Sequence, residues 1–247
     1  MPDRPALFVS GDWGTSRLRL RLVQAEPLAI RAEATSEAGI ARVFASWQAT
    51  GAAGDREGVF LRALAPVLEE LRAGAGFDPR DVPLVLSGMA SASIGLRELP
   101  YAATPFDLAA GAPPTARIPP GELPCETVVV SGVRTDDDVM RGEETILIGL
   151  AALGHGDGLF LLPGTHSKHV AVRGGVIERF GTYLTGEMFA LLRAHSVLGP
   201  CLAAGSGPDE TFVAAVCEAA GGANLLREAF ALRARSILRG TSPEENG

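Results

Sequence analysis

Three sets of side chains in this 247-residue sequence carry groups suited to chemistry. The first is Asp12, Gly14, Thr15 and Ser16, within LFVSGDWGTSRLRLRL from Leu7 to Leu22. An ionised aspartate only accepts hydrogen bonds, so a metal or a hydroxyl suits it. Threonine and serine hydroxyls, with the amides of a tight turn, are donors of the kind that hold phosphate oxygens. The second set is acidic: Asp136, Asp137 and Asp138, then Glu143 and Glu144. The third is Gly164, Thr165 and Lys168, in Pro163-Gly164-Thr165-His166-Ser167-Lys168. Phosphoryl transfer needs little covalent help; it needs positioned donors, a metal, and a base near the attacking hydroxyl. Two donor-rich turns facing a polyphosphate, with a carboxylate between them, would meet that need. A plain hairpin with a satisfied turn aspartate accounts for the first set alone, since such turns are common. The second turn, and the order of the pieces between, favour the chemistry.

The elements that must position these groups are legible from periodicity. Leu7 to Val9 is an apolar run leading into Gly11-Asp12-Trp13-Gly14. Leu18, Leu20 and Leu22 then alternate with Arg17, Arg19 and Arg21, the period of a strand with one apolar face. The pair reads as a hairpin, with Gly11 and Gly14 permitting positive φ and leaving room beside the backbone. Leu28 to Thr35 reads as a third strand, and Ser36-Glu37-Ala38-Gly39 as a polar turn. Arg56 to Arg72 carries apolar residues at three and four spacing, a helix that Gly74 and Gly76 end. Pro83 to Leu86 is a short strand running into Ser87-Gly88-Met89, a small-residue turn where open α/β sheets place ligands. Residues 100–124, rich in Pro, Ala and Gly, read as irregular cover. Thr127 to Val130 is a buried strand, and Asp136 to Asp138 cap a helix running to about Leu153. After the Gly-rich break at residues 155–158 come strand, small-residue turn and strand again: Leu159 to Leu162, the Gly164 turn, and His169 to Val172. Val176 to Phe180 adds a strand, and helices are expected over residues 186–198, 209–220 and 225–238. This places one domain over residues 1–153 and a second over 154–247.

Bulk properties narrow the partners. Hydrophobic residues make up 47% and charged residues 21%, as in an ordinary globular protein. The net charge of −7, with no run of like charges, argues against nucleic acid or a membrane surface as partner. An acidic protein that binds anions must use local donors. Three cysteines, none in a CxxC pair, argue against a disulfide scaffold or structural zinc and fit a reducing cytoplasm. The N-terminal stretch offers no apolar run long enough for a signal peptide or membrane span. Gly164 to Lys168 is not a P-loop, because a strand follows it and Gly-Lys-Ser is absent. His195 in an apolar helix reads as a core or interface residue, and Cys201 and Cys217 as buried apolar groups. Apolar faces on the late helices point to a homodimer.

The layout resembles the sugar-kinase, heat-shock-protein and actin superfamily and, more narrowly, the 2-dehydro-3-deoxygalactonokinase family. The residues that carry this are Asp12-Trp13-Gly14-Thr15-Ser16, Ser36-Glu37-Ala38-Gly39, Ser87-Gly88-Met89, Val139-Met140-Arg141-Gly142-Glu143-Glu144-Thr145, Leu162 to Lys168, and Leu184-Thr185-Gly186-Glu187. The blocks follow the family order across residues 7 to about 240, and MRGEET with PGTHSK at this separation is the most specific pair. The resemblance implies an α/β, actin-like ATPase (ribonuclease H-like) two-domain architecture whose second domain is incomplete. It implies transfer of the ATP γ-phosphoryl group to the 6-hydroxyl of 2-dehydro-3-deoxy-D-galactonate in the cytoplasm. ATP and Mg²⁺ would be the cofactors, with Asp12 on the metal. Gly14, Thr15, Ser16, Gly164, Thr165 and Lys168 would line the phosphates. Glu37, Gly39, Ser87, Met89, Arg141 and Glu187 are candidates for the sugar acid, and Arg17 or Arg141 for its carboxylate. Superfamily logic puts the base at the amino end of the helix after the first domain's last strand, which favours Asp138, with Glu143 as a further catalytic candidate. Pro163 stands where many superfamily members carry an acidic residue, which argues against metal binding by the second turn. The competing reading is a non-catalytic sugar-acid sensor or truncated pseudokinase of the same fold.

Overall fold

The computed structural model describes residues 6–51, 54–202, 210–220 and 224–243. They form two compact units: one holds the residues up to Leu162 together with Lys168–Thr182, the other Pro163–Ser167 together with the residues from Tyr183 on.

The first unit opens with the hairpin. Strand β1 (Leu7–Trp13) pairs antiparallel with β2 (Leu18–Gln24), and β2 with β3 (Ala29–Ser36). Leu18, Leu20 and Leu22 are buried and Arg19 and Arg21 are not, as the alternation requires. Helices α1 (Ile40–Ala49) and α2 (Arg56–Ala75) follow. The α2 residues Phe60, Leu61, Leu64, Val67, Leu68 and Leu71 are buried against the sheet. Each apolar side chain removed from water in this way contributes about 1.5–3 kcal/mol. Pro66 sits inside α2 on its exposed face, where the carbonyl it leaves unpaired is solvated. The helix ends at Gly76, in the left-handed region at φ 70°, with its N–H on the Arg72 carbonyl. Gly74 lies inside the helix and does not end it.

Strand β4 (Leu84–Gly88) pairs parallel with β1. Short strands β5 (Ala102–Ala103), β6 (Phe106–Asp107) and β7 (Thr115–Ile118) occupy the stretch expected to be irregular. Two to four residues are too few to show a period, so their partners decide them: β7 lies antiparallel on β8 (Thr127–Val130), at the edge of the main sheet. The resulting order, β3-β2-β1-β4-β8-β7 with β1, β4 and β8 parallel, is the ribonuclease H-like layer of actin-like ATPases. Its core is Val9, Trp13, Leu18, Leu20, Phe60, Leu64, Leu84, Leu86 and Val129, all at 0% exposure, with Trp13 edge-on to Phe60 at 5.6 Å. After β8 come β9 (Val133–Arg134) and β10 (Val139–Met140), then α3 (Glu143–Ala152). The chain then runs through β11 (Gly158–Leu162), β12 (Ser167–Arg173) and β13 (Val176–Tyr183). A three-stranded sheet has the order β10-β9-β5 and a four-stranded one β11-β12-β13-β6. A second core, Phe106, Val133, Met140, Leu147, Val170 and Ile177, fills the space beside them.

The second unit carries the turn Pro163–Ser167 and helices α4 (Thr185–His195), α5 (Glu210–Ala219) and α6 (Leu225–Arg239). The expected helix start at Asp209 lies outside the described residues. Cys217 is exposed on α5 and His195 on α4, so neither is a core residue; Cys201 is buried. Among the described residues no helix is long and apolar enough to cross a membrane.

Candidate active site

The first turn is built by its neighbours as much as by its own sequence. Gly14 N–H donates to the Arg17 carbonyl at 2.8 Å and closes it. Helix α1, absent from the sequence expectation although Ile40, Val43, Phe44 and Trp47 keep three-and-four spacing, starts at Gly39 and turns its first amides back: Ile40 N–H donates to Gly14 O and Ala41 N–H to Thr15 O. The Trp13 indole N–H donates to Ala38 O at 2.8 Å. A Cβ on Gly39 would lie 2.2 Å from the Ser16 carbonyl carbon, so this glycine is required by contact with the turn. Gly11 and Gly14, expected to supply positive φ, do not adopt it. At Gly11 the requirement is space inside the sheet, since a Cβ would come 2.5 Å from Leu86 Cδ2. The outcome is an exposed Asp12, Thr15 and Ser16 on a turn locked from behind.

Around Asp12 the unit gathers further groups. Gly88 ends β4 at φ +80°, with an added Cβ 3.0 Å from Trp13 O and 3.3 Å from Asp12 Oδ1. Gly142, at φ +101°, lies against Gly88, a Cβ there falling 3.4 Å from Gly88 Cα. Gly142 is the N-cap of α3, so Glu143 and Glu144 occupy its first turn, at the positive end of the helix. Glu143 Oε2 is buried and, among the described residues, has no hydrogen-bond partner. Burial raises the Glu143 pKa above the ordinary carboxylate value, against the pull of nearby amides and the Lys168 charge, and the Asp12 charge adds to the rise. Glu144 is fully buried, and burial pushes its pKa up to about 7. Its carboxylate accepts the Gly142 N–H with both oxygens, at 3.0 and 2.8 Å, and the Thr145 hydroxyl at 3.0 Å. Asp12, Gly88, Gly142, Glu143 and Lys168 therefore share one neighbourhood.

Asp138 does not cap a helix. It sits in the turn between β9 and β10, and α3 begins five residues later. The intervening Val139–Met140 pairs with Val133–Arg134, and that pairing overrides the capping pattern. The Asp138 carboxylate accepts the Val139 N–H, the Thr182 N–H and the Thr182 hydroxyl, each at 2.7 Å. Thr182 Oγ1 in turn accepts from Lys168 Nζ at 2.8 Å, and Lys168 also donates to Val139 O at 3.0 Å. Lys168, 6% exposed, is thus a buried cation held by a strand carbonyl and a hydroxyl. Thr182 escapes sequence reasoning because nothing in its spacing marks it, while Glu144, one of the acidic set, is placed inside the core.

On the other side of the first turn a hollow of about 230 Å³ is lined by Asp12, Gly14, Arg17, Leu18, Arg19, Thr35, Ser36 and Glu37. Arg17 pairs with Glu37 across its mouth at 3.2 Å. Ser87 and Met89 flank Gly88 at the carboxyl end of β4. In the second unit, the turn Pro163–Ser167 docks on the start of α4. Gly186 N–H donates to Gly164 O and Glu187 N–H to Thr165 O, and a Cβ on Gly186 would fall 2.7 Å from Gly164 O. Ser167 and Thr185 share a hydroxyl–hydroxyl bond, and His166 Nε2 pairs with the Glu187 carboxylate. Gly164 and Thr165 remain exposed.

A family model for 2-keto-3-deoxy-galactonokinase matches residues 12–247. The chain belongs to that family. It is 34% identical to a protein assigned as 2-dehydro-3-deoxygalactonokinase, DgoK1, of Rhizobium meliloti (strain 1021), over 95% of this chain and 73% of the relative. It is 30% identical to the 2-dehydro-3-deoxygalactonokinase of Escherichia coli (strain K12), over 97% of this chain and 74% of the relative. The crystal structure of a candidate 2-dehydro-3-deoxygalactonokinase from Sinorhizobium meliloti superposes with a TM-score of 0.78, at 29% identity, over 97% of this chain and 75% of that one. All the motifs that suggested this galactonokinase family fall within the matched span.

Proposed function

We propose that the chain transfers the γ-phosphoryl group of ATP to the 6-hydroxyl of 2-dehydro-3-deoxy-D-galactonate, a carbohydrate-kinase step in galactonate catabolism. The observation that supports it most is the meeting of Asp12, Gly88 and Glu143 at the carboxyl ends of β1 and β4 and the amino end of α3. Ligands of open α/β sheets bind at that edge. Glu143 is the base. Its free oxygen is buried, its raised pKa lies nearer neutrality, and it belongs to a helix N-terminus. We prefer it to Asp138, whose carboxylate already accepts three hydrogen bonds. The 6-hydroxyl proton passes to Glu143, the freed oxygen forms a bond to the γ-phosphorus, and the bond from that phosphorus to the bridging oxygen breaks, leaving ADP. Thr15 and Ser16, with Gly14, donate to the phosphates from the first turn. Lys168 contributes a buried positive charge beside Glu143. Glu37, Gly39, Ser87, Met89 and Glu187 are assigned to the sugar acid.

The residues fit Mg²⁺ that arrives with the nucleotide. Asp12 is an exposed carboxylate beside a second acidic group, and among the described residues no cluster of three His, Cys, Asp or Glu side chains makes a resident site. When bound, the ion neutralises charge on the phosphate oxygens, with Asp12 holding it directly or through water. The cytoplasm, where ATP and a reducing environment coincide, is the compartment we assign.

The test is ATP-dependent phosphorylation of 2-dehydro-3-deoxy-D-galactonate by the full chain. Glu143→Gln should lower kcat by about 10²–10⁴-fold, the usual range for loss of a general base, without lowering the melting temperature. Asp12→Asn should raise the Mg²⁺ requirement. Full rates in both variants would refute these roles.

A further inference from the structure

The first unit holds an arginine that, among the described residues, has no anionic partner, set on an aromatic platform and two residues from Glu143. Arg141 follows directly on β10, and Tyr101 directly precedes β5; these are the two outer strands of the sheet β10-β9-β5. The Arg141 guanidinium lies over the Tyr101 ring, 4.3 Å from its centroid. At that distance the ring face attracts the cation and fixes its plane. The stem is fixed as well. Gly132, on the loop into β9, faces it so closely that a Cβ would come 2.8 Å from Arg141 Cγ and 2.0 Å from Met140 O. Arg141 Nε is buried and, among the described residues, has no hydrogen-bond partner. Most other arginines of this unit meet a carboxylate: Arg17 with Glu37, Arg19 and Arg21 with Glu33, Arg62 with Glu122, Arg97 with Glu57, Arg117 with Glu126.

A buried donor without an acceptor costs free energy unless a ligand supplies one. A planar, ring-stacked guanidinium is preorganised for bidentate capture of a carboxylate. We infer that Arg141, held over the Tyr101 ring, is the carboxylate-recognition site that makes this enzyme select 2-oxo sugar acids over uncharged sugars. This rests on the kinase reading above for the position of the reacting hydroxyl. It singles out Arg141 over Arg17, whose charge is already met by Glu37, and it gives Tyr101 a role as a positioning residue.

The experiment compares the sugar acid with a matched analogue bearing a hydroxymethyl group in place of the carboxylate. Arg141→Gln should cut kcat/KM for the acid about 10- to 100-fold more than for the analogue, the range expected for a hydrogen-bonded charge pair. Tyr101→Leu should weaken the acid through KM by a few-fold, kcat staying near the parent value, and Tyr101→Phe should restore the parent KM because the ring face is kept. Equal losses on the two compounds in Arg141→Gln would overturn the inference, as would a Tyr101→Phe variant no better than Tyr101→Leu. Calorimetric binding of the sugar acid in the absence of nucleotide separates the two claims. If the parent chain binds the acid in an Arg141-dependent way but transfers no phosphoryl group, the kinase reading fails and this one stands. If binding ignores Arg141, this one fails whatever the turnover.

Discussion

Replacing Glu144 by Gln should make the stability of the protein less dependent on pH, and the sign follows from burial. Glu144 is 0% exposed and its pKa is raised from the ordinary 4.5 to about 7. Below pH 4.5 the carboxyl is protonated in both the folded and the unfolded chain, and it costs nothing. Between 4.5 and about 7 the unfolded chain releases the proton and the folded chain keeps it, so stability falls as pH rises. Above about 7 both have released it, and the loss is complete. At 1.36 kcal/mol per pH unit the interval amounts to about 3 kcal/mol. Glutamine cannot ionise, so the variant lacks this decline. It keeps one oxygen for Gly142 N–H or Thr145 Oγ1 and forfeits the other acceptor, at a cost of about 1 kcal/mol. Near pH 5 Glu144→Gln should therefore be equal to or less stable than the parent; at pH 8 it should be more stable by about 2 kcal/mol. Urea denaturation at pH 5, 6, 7 and 8, with the slope against urea unchanged, reads this directly. A difference between the two proteins that stays constant across that range would refute a buried, perturbed Glu144 and the close packing of the α3 start that it implies.

Two further outcomes follow from the site's supports. Gly39→Ala places a methyl 2.2 Å from the Ser16 carbonyl carbon, a backbone contact that cannot rotate away; we expect a destabilisation of about 2 kcal/mol or more by urea titration and a raised KM for ATP, since the first turn must shift. Thr182→Val leaves Lys168 and Asp138 each short of a buried partner, and should cost about 2–3 kcal/mol together with a fall in kcat, while Thr182→Ser should recover both.

Strands β1 to β4 and β8 of the main sheet, and the first turn, are legible because their signals are local; the edge strand β7 is not. Alternation from Leu18 to Leu22 and three-and-four spacing in α2 reflect burial on one face, and burial is what the structure shows. What was not legible depends on pairing between distant residues. Asp136 to Asp138 look like a helix cap until Val133–Arg134 is seen to pair with Val139–Met140; the acidic run then becomes a hairpin turn, and the helix start moves to Gly142. Helix α1 carries a local signal, the three-and-four spacing of Ile40, Val43, Phe44 and Trp47, but no capping side chain marks its start, its first amides being met by the carbonyls of Gly14 and Thr15. Positive φ was expected at Gly11 and Gly14 and occurs at Gly88 and Gly142, the two glycines that pack on one another beside Asp12. A glycine's sequence neighbours do not say whether it serves conformation or space; only the contact does.

An acidic protein that handles two anionic substrates must resolve a conflict, and the arrangement of its cations shows how. The net charge of −7 repels both a nucleotide and a sugar acid at long range. Exposed Arg17 and the half-buried arginines of β2, Arg19 and Arg21, cannot correct this, because Glu37 accompanies the first and Glu33 the other two. Two cations of the first unit, Lys168 and Arg141, are treated differently. Lys168 is buried and held by the Val139 carbonyl and the Thr182 hydroxyl, and Arg141 lies on the Tyr101 ring with its Nε unmatched. Among the described residues neither is in direct contact with a carboxylate, so each keeps its charge available at short range, where low dielectric makes it count for most. Neutral holders — a carbonyl, a hydroxyl and an aromatic face — fix these cations in place without cancelling them, which is the condition for drawing an anion into an otherwise negative molecule.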